Sequence, residues 1–374
     1  MTFPGRTGRA LLGVALALAL AVAVAACGSS SSNSNSGSSS GGGSSSTQSS
    51  SSSGGNSGPV EIGAALIGPK NDGSFNQATY EGILQGEKDH PNLKLKSTLE
   101  NLATDQQRTD AINTLGPITK LIFGVSASFG PVLDATADKF ANDYFINVAG
   151  YTNKFHKNVT GFANDWGAPA YVAGVDAAKM TKSNVVGYVG GAEIPPTTQA
   201  AAAFKHGAQS VNPKIKVLSN IVGDFNDVSK AKAATAAMIA DKADVIFPFL
   251  DAGIAGSYAA GKASGKNPAM FKLTIPDCGA YPNMVGTEVV NNKAVVIKML
   301  DQYVAGTLKP GTFFLDLQDP TIQTLQLCPK YQKDPVVSKA NKDTIDAINS
   351  GKIKLPADSI NPRPAYKTYE GLGG

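Results

Sequence analysis

The chain has 374 residues, 33 basic and 29 acidic side chains, a formal net charge of +4, three histidines and three cysteines. Beyond Arg6 and Arg9 the charges nearly balance and no stretch gathers enough Lys or Arg to track a phosphate backbone, which argues against a nucleic-acid partner. The body from Pro59 onward has no Walker A loop, Gly-x-Ser-x-Gly, His-Glu-x-x-His or Cys-x-x-Cys, so no catalytic, cofactor or metal signature stands out.

Arg6 and Arg9 precede an uncharged apolar run from Ala10 to Ala26, the charge order of a secretory signal, and the run is marginally short for a bilayer span. It ends in Val24-Ala25-Ala26-Cys27, which resembles the bacterial lipobox. Residues 1–26 are therefore expected to be removed and Cys27 to carry the lipid. Residues 28–58 hold only Ser, Gly, Asn, Gln and Thr and cannot bury surface to offset chain entropy. With Cys27 they read as a tether spanning about 30 Å as a random coil. The expected location is the extracytoplasmic face of the cell membrane.

The body, 59–374, is long enough for two lobes, each with a core. Short β-rich runs at Val60–Ile67, Leu93–Leu99, Leu121–Val125, Val185–Val189, Val217–Val222 and Val245–Leu250, and a weaker one at Phe271–Ile275, alternate with helical stretches. These stretches are Asn76–Lys88, Asp105–Leu115, Ala168–Met180 and Ser229–Ala240. The alternation predicts α/β architecture with two doubly wound lobes joined by a hinge, and a ligand site at the carboxyl ends of the strands. The expected division is 59–162 with 277–310 for the first lobe, and 163–276 with 311–374 for the second.

The first strand turns into the first helix through Asn71-Asp72-Gly73-Ser74-Phe75-Asn76. Asp72 and Ser74 can point into a cleft or cap the helix, since either side chain can accept from its early amides. Phe75 beside the Asn76 amide suits a flat heteroaromatic ligand that needs a stacking face and an edge partner; packing between lobes is the plainer role.

Several segments together resemble the basic membrane protein family of bacterial lipoproteins, which includes purine-nucleoside receptors of ABC importers. They are Asp72–Gly82, Pro169–Lys182, Val185–Gly191, Ile194–Pro196, Ala203–Ala208, Val211–Pro213, Phe225–Asp227 and Ala243–Phe247, in that order. The resemblance implies a type I periplasmic-binding-protein-like fold in which Phe75 and Asn76 contact the base and Phe225 supplies the second stacking ring. It also aligns Asp277 with a sugar-side aspartate, and Asn291 stands near the expected lysine, with Lys293 two places on. An acidic residue usual before the first motif has no counterpart in Ile67-Gly68-Pro69-Lys70.

Cys278 and Cys328 are the thiols left after lipidation, and an exported chain favours their pairing. The expected function is a monomeric, non-enzymatic solute-binding lipoprotein, without cofactor or metal, that delivers a purine nucleoside or nucleobase to an ABC permease. The alternatives are a sugar-binding or signalling receptor on the same fold, or an anchored nucleoside-processing enzyme.

Overall fold

A computed structural model describes residues 58–372. In chain order the strands are β1 (Val60–Leu66), β2 (Leu93–Leu99), β3 (Leu121–Val125), β4 (Tyr144–Val148), β5 (Val159–Asn164), β6 (Val185–Gly190) and β7 (Lys216–Ile221). They continue with β8 (Val245–Phe249), β9 (Ala269–Thr274), β10 (Met284–Val290), β11 (Gly311–Leu315), β12 (Gln323–Leu327) and β13 (Thr368–Glu370).

They form two sheets. The first runs β13-β11-β5-β4-β3-β1-β2 with every pair parallel; the second runs β12-β10-β9-β8-β6-β7, parallel except for β10 with β12. Central strands such as Leu-Ile-Phe-Gly-Val in β3 and Val-Ile-Phe-Pro-Phe in β8 are buried throughout because helices cover both faces. The edge strand β7 is mostly uncovered. Pro248 is tolerated in β8 because the ladder to β9 has ended at Ile246–Met270, so no bond on that side is lost.

The chain passes between sheets four times. After β5 it enters the helix Gly167–Met180, which packs on Pro195–Val211 in the second lobe. After β10, the helix Asn292–Val304 returns to pack on Phe75–Asp89; contact is close because Gly82 and Gly86 face Val296 and Leu300 without a Cβ between them. The third crossing takes β11 to β12. The fourth brings the chain back to β13 after the helix Pro335–Asn349, which lies on Gly167–Met180.

The sheets divide the C-terminal half differently from the sequence boundaries, which gave 277–310 to the first lobe and 311–374 to the second. β10 belongs to the second sheet, and β11 and β13 belong to the first. The reason is pairing: the buried run Met-Val-Gly-Thr-Glu-Val-Val lies against β9, and Gly-Thr-Phe-Phe-Leu against β5. A disulfide joins Cys278, after β9, to Cys328, after β12.

Candidate ligand-binding cleft

The carboxyl ends of β1 and β3 in the first sheet and of β6, β8 and β9 in the second meet in one cleft. Gly73 takes φ 69°, a left-handed conformation that suits glycine, and turns the chain from β1 into the first helix. Asp72, buried just before it, is fully engaged as a cap: its carboxylate accepts from the amides of Ser74, Asn76 and Gln77 at 2.8, 3.0 and 3.1 Å and from the Asn76 side chain at 2.8 Å. Asn76 is wholly buried, and its carbonyl oxygen accepts from the Gly68 amide at 3.4 Å. Of the two roles open to Asp72, the capping one describes its contacts, and the Asn76 amide is likewise turned inward. Both hold Phe75 at the front of the helix.

The two lobes touch at this point. The Phe75 amide donates to Asp251 Oδ1 at 3.4 Å, and Lys272 Nζ donates to the Gly73 carbonyl at 3.2 Å. Burial, and then the nearby Asp72 carboxylate, push the Asp251 carboxyl well above the usual range; the Ser74 hydroxyl and the Phe75 amide oppose that shift. Burial lowers the Lys272 ammonium, and Asp277, Asp251 and Asp72 work against it.

Phe75 and Phe225 line the same apolar cavity of about 40 Å³, together with Trp166, Phe249, Ile194 and Leu273. Phe225 closes the second-lobe side because its carbonyl accepts from the amides of Asp251 and Gly253, which ties the loop after β7 to the loop after β8. Trp166 stands where the chain first crosses between lobes. Its ring centroid lies 6.4 Å from that of Phe75 and 5.4 Å from that of Phe249, the latter edge-on.

Asp277 and Asn291 do not line this cavity. Asp277 is exposed and accepts from the Gly279 amide at 3.0 Å. Asn291 caps the helix Asn292–Val304 through the Ala294 amide at 3.1 Å and donates to the Thr321 carbonyl at 3.0 Å. Lys293 pairs with Glu81 on the flank of the first helix.

Sequence reasoning missed Trp166, Phe249, Asp251 and Lys272. Leu250-Asp251-Ala252-Gly253 did carry a signal, a carboxylate and a glycine directly after a legible strand. Trp166 follows β5, whose Thr160, Gly161 and Asn164 interrupt the apolar pattern.

The family described as ABC transporter substrate-binding protein, PnrA-like (Bmp), matches residues 60–358. The chain belongs to the Bmp family. Among its relatives, the ABC transporter nucleoside-binding protein BmpA of Lactococcus lactis is 30% identical over 339 residues, 81% of this chain and 92% of that protein. A purine-binding protein of Brucella abortus is 31% identical over 304 residues, 79% and 82% of the two chains. Of solved structures, an ABC transporter solute-binding protein from Aeropyrum pernix superposes with a TM-score of 0.70 at 16% identity, covering 80% of this chain and 93% of its own. One from Conexibacter woesei gives 0.59 at 19% identity, over 80% and 99%. This Bmp-family chain therefore has the two-lobed periplasmic-binding-protein fold and is a substrate-binding protein of an ABC importer, a class that takes up a small molecule outside the cytoplasm and presents it to a permease. Among the described residues no helix is long and apolar enough to cross a membrane. The expected lipid site, Cys27, lies outside the described residues.

Proposed function

We propose that this chain is a lipid-anchored, non-enzymatic receptor that binds a purine nucleoside or related nucleobase between its lobes. The carrying observation is that Phe75 of the first lobe and Phe225 of the second border one apolar cavity. The Lactococcus and Brucella relatives, a nucleoside-binding and a purine-binding protein, support the same chemistry.

At about 40 Å³ the slot is far below the roughly 300 Å³ at which ligand pockets usually begin. A heterocycle enters when the lobes part and is then held between the two rings as they close. Stacking contributes about 1–3 kcal/mol per base. Asp72 and Asn76 fix the entry of the first helix, Ser74 flanks Asp251, and Asp251 offers a buried group beside the Phe75 edge. Closure follows only if the ligand favours the closed state over the open one.

The test is calorimetry of nucleosides, free bases and pentoses against the full-length protein, its Phe75→Leu and Phe225→Leu variants, and an assay for turnover. The expected result is reversible saturable binding of a purine compound without product, weakened about five- to 150-fold by either variant, with folding retained. Preference for free sugars would instead favour the sugar receptor, and nucleoside cleavage the enzyme.

A further inference from the structure

A cavity of about 670 Å³ lies in the second lobe, apart from the cleft. The carboxyl ends of the strands face the cleft, so this cavity, bordered by residues just before β6, β8 and β9, opens at the opposite pole of that lobe. Five lysines line it: Lys179, Lys182, Lys242, Lys266 and Lys330. Among the described residues none of the five forms an ion pair. The two carboxylates on the same wall are engaged by backbone amides. Asp244 accepts from those of Lys182 and Ser183 at 2.8 and 2.9 Å, and Asp334 from those of Val336 and Val337 at 2.9 and 3.1 Å. Positive charge is therefore in excess around the cavity, over a floor that includes Met180, Ile239 and Val337.

One of the five lysines holds a backbone conformation that disfavours it. The helix Val228–Ala240 ends with the Lys242 amide on the Ile239 carbonyl and the Ala243 amide on that of Met238, at 3.1 and 2.9 Å, and Lys242 takes φ 75°. Helices that close in this way usually place glycine at that position, because a Cβ is crowded in the left-handed region. A lysine there works against folding locally, and a charge needed at the rim of the cavity accounts for it.

We propose that this cavity binds a soluble organic phosphate, its anionic head among the lysines and its carbon skeleton on the apolar floor. Five cations against two carboxylates match an anion with more than one negative charge, and the lysine ammonium is a compact point charge suited to phosphate oxygens. A bilayer headgroup is the other source of such a phosphate. The chain enters β1 at the pole of the first lobe, so the cavity faces away from that entry, which favours the soluble source. The site is separate from the aromatic slot and does not depend on what the slot holds.

Calorimetry of the full-length protein with phenyl phosphate, phenol and phosphatidylglycerol vesicles as probes tests it. Phenyl phosphate should bind saturably at one site, more weakly as ionic strength rises, and phenol should not bind. Lys182→Gln and Lys242→Gly should each weaken phenyl phosphate about two- to fivefold. Lys242→Gly should melt close to or above the wild type, because glycine suits that turn. Phe75→Leu in the cleft should leave phenyl phosphate affinity unchanged. No saturable binding of phenyl phosphate, equal binding of phenol, or unchanged affinity in both lysine variants overturns the site. Loss of phenyl phosphate binding in Phe75→Leu puts the probe in the cleft and overturns it as well. Binding to the vesicles with none to phenyl phosphate assigns the cavity to a lipid surface instead.

Discussion

The Phe225 ring lies directly over the backbone of Gly191: a Cβ built on that glycine would stand 2.2 Å from Phe225 Cδ1 and 2.4 Å from Cγ. Gly191 follows β6, so the absence of a side chain at one strand end lets an aromatic from the loop after β7 reach the cleft. Gly191→Ala should push the ring from its place, because Cγ lies near the root of the side chain and cannot swing away alone. The expected outcome is a purine affinity at least about fivefold weaker, with a melting temperature close to wild type. Calorimetry beside a thermal melt checks it, and unchanged affinity would mean that Phe225 is not a ligand wall.

The bridge between Cys278 and Cys328 closes a loop of 50 residues across the second lobe. In the chain-entropy account such a cross-link stabilises by about 4 kcal/mol, less any strain. Cys278→Ser with Cys328→Ser should therefore lower the unfolding free energy by roughly 2–4 kcal/mol. Urea titration of the variant, and of the wild type in reductant, should show matching losses; a loss well under 1 kcal/mol would contradict a stabilising bridge.

The seven strands read from sequence lie at β1, β2, β3, β6, β7, β8 and β9, because their apolar runs are long and clearly bounded. Two of the strands missed, β4 and β5, carry polar residues that bond to partners distant in sequence. Asn147 in β4 donates to the carbonyls of Gly124 and Ser126, and Thr160 in β5 donates to the Lys309 carbonyl. Such bonds leave no local trace. Sheet membership after β9 was illegible for a related reason, since an apolar run announces burial without saying which sheet will receive it. Phe75 and Phe225 were readable as aromatics on strand-to-helix turns, whereas Arg108, at the start of an amphipathic helix, looks in sequence like any solvated charge.

Anchoring through Cys27 makes a separate prediction, motivated by the order of charge, apolar run, small residues and cysteine. Cys27→Ser should abolish metabolic labelling by fatty acid and shift the protein out of the membrane fraction. Labelling that persists in the variant would refute the lipobox reading.

Asp176 offers a test of buried charge away from the cleft. It sits on the helix Gly167–Met180, wholly buried, and accepts a hydrogen bond from Asn341 Nδ2 of Pro335–Asn349 at 2.8 Å. Burial pushes its carboxyl up to about 7, against the smaller opposing effect of Asn341. An acid whose pKa is higher folded than unfolded binds its proton more tightly in the native state. Its contribution to stability is therefore unchanged below the unfolded value, near about 4, and becomes increasingly unfavourable as pH rises toward about 7. Asp176→Asn cannot ionise, so it should gain on the wild type by a few kcal/mol between pH 5 and pH 8. Burial also raises Asp165, to about 6, and Glu288, but both remain in the variant and cancel in the comparison. Unfolding curves of the two proteins at both pH values measure the difference, and a gap between them that stays constant would mean that Asp176 does not change its charge in that range.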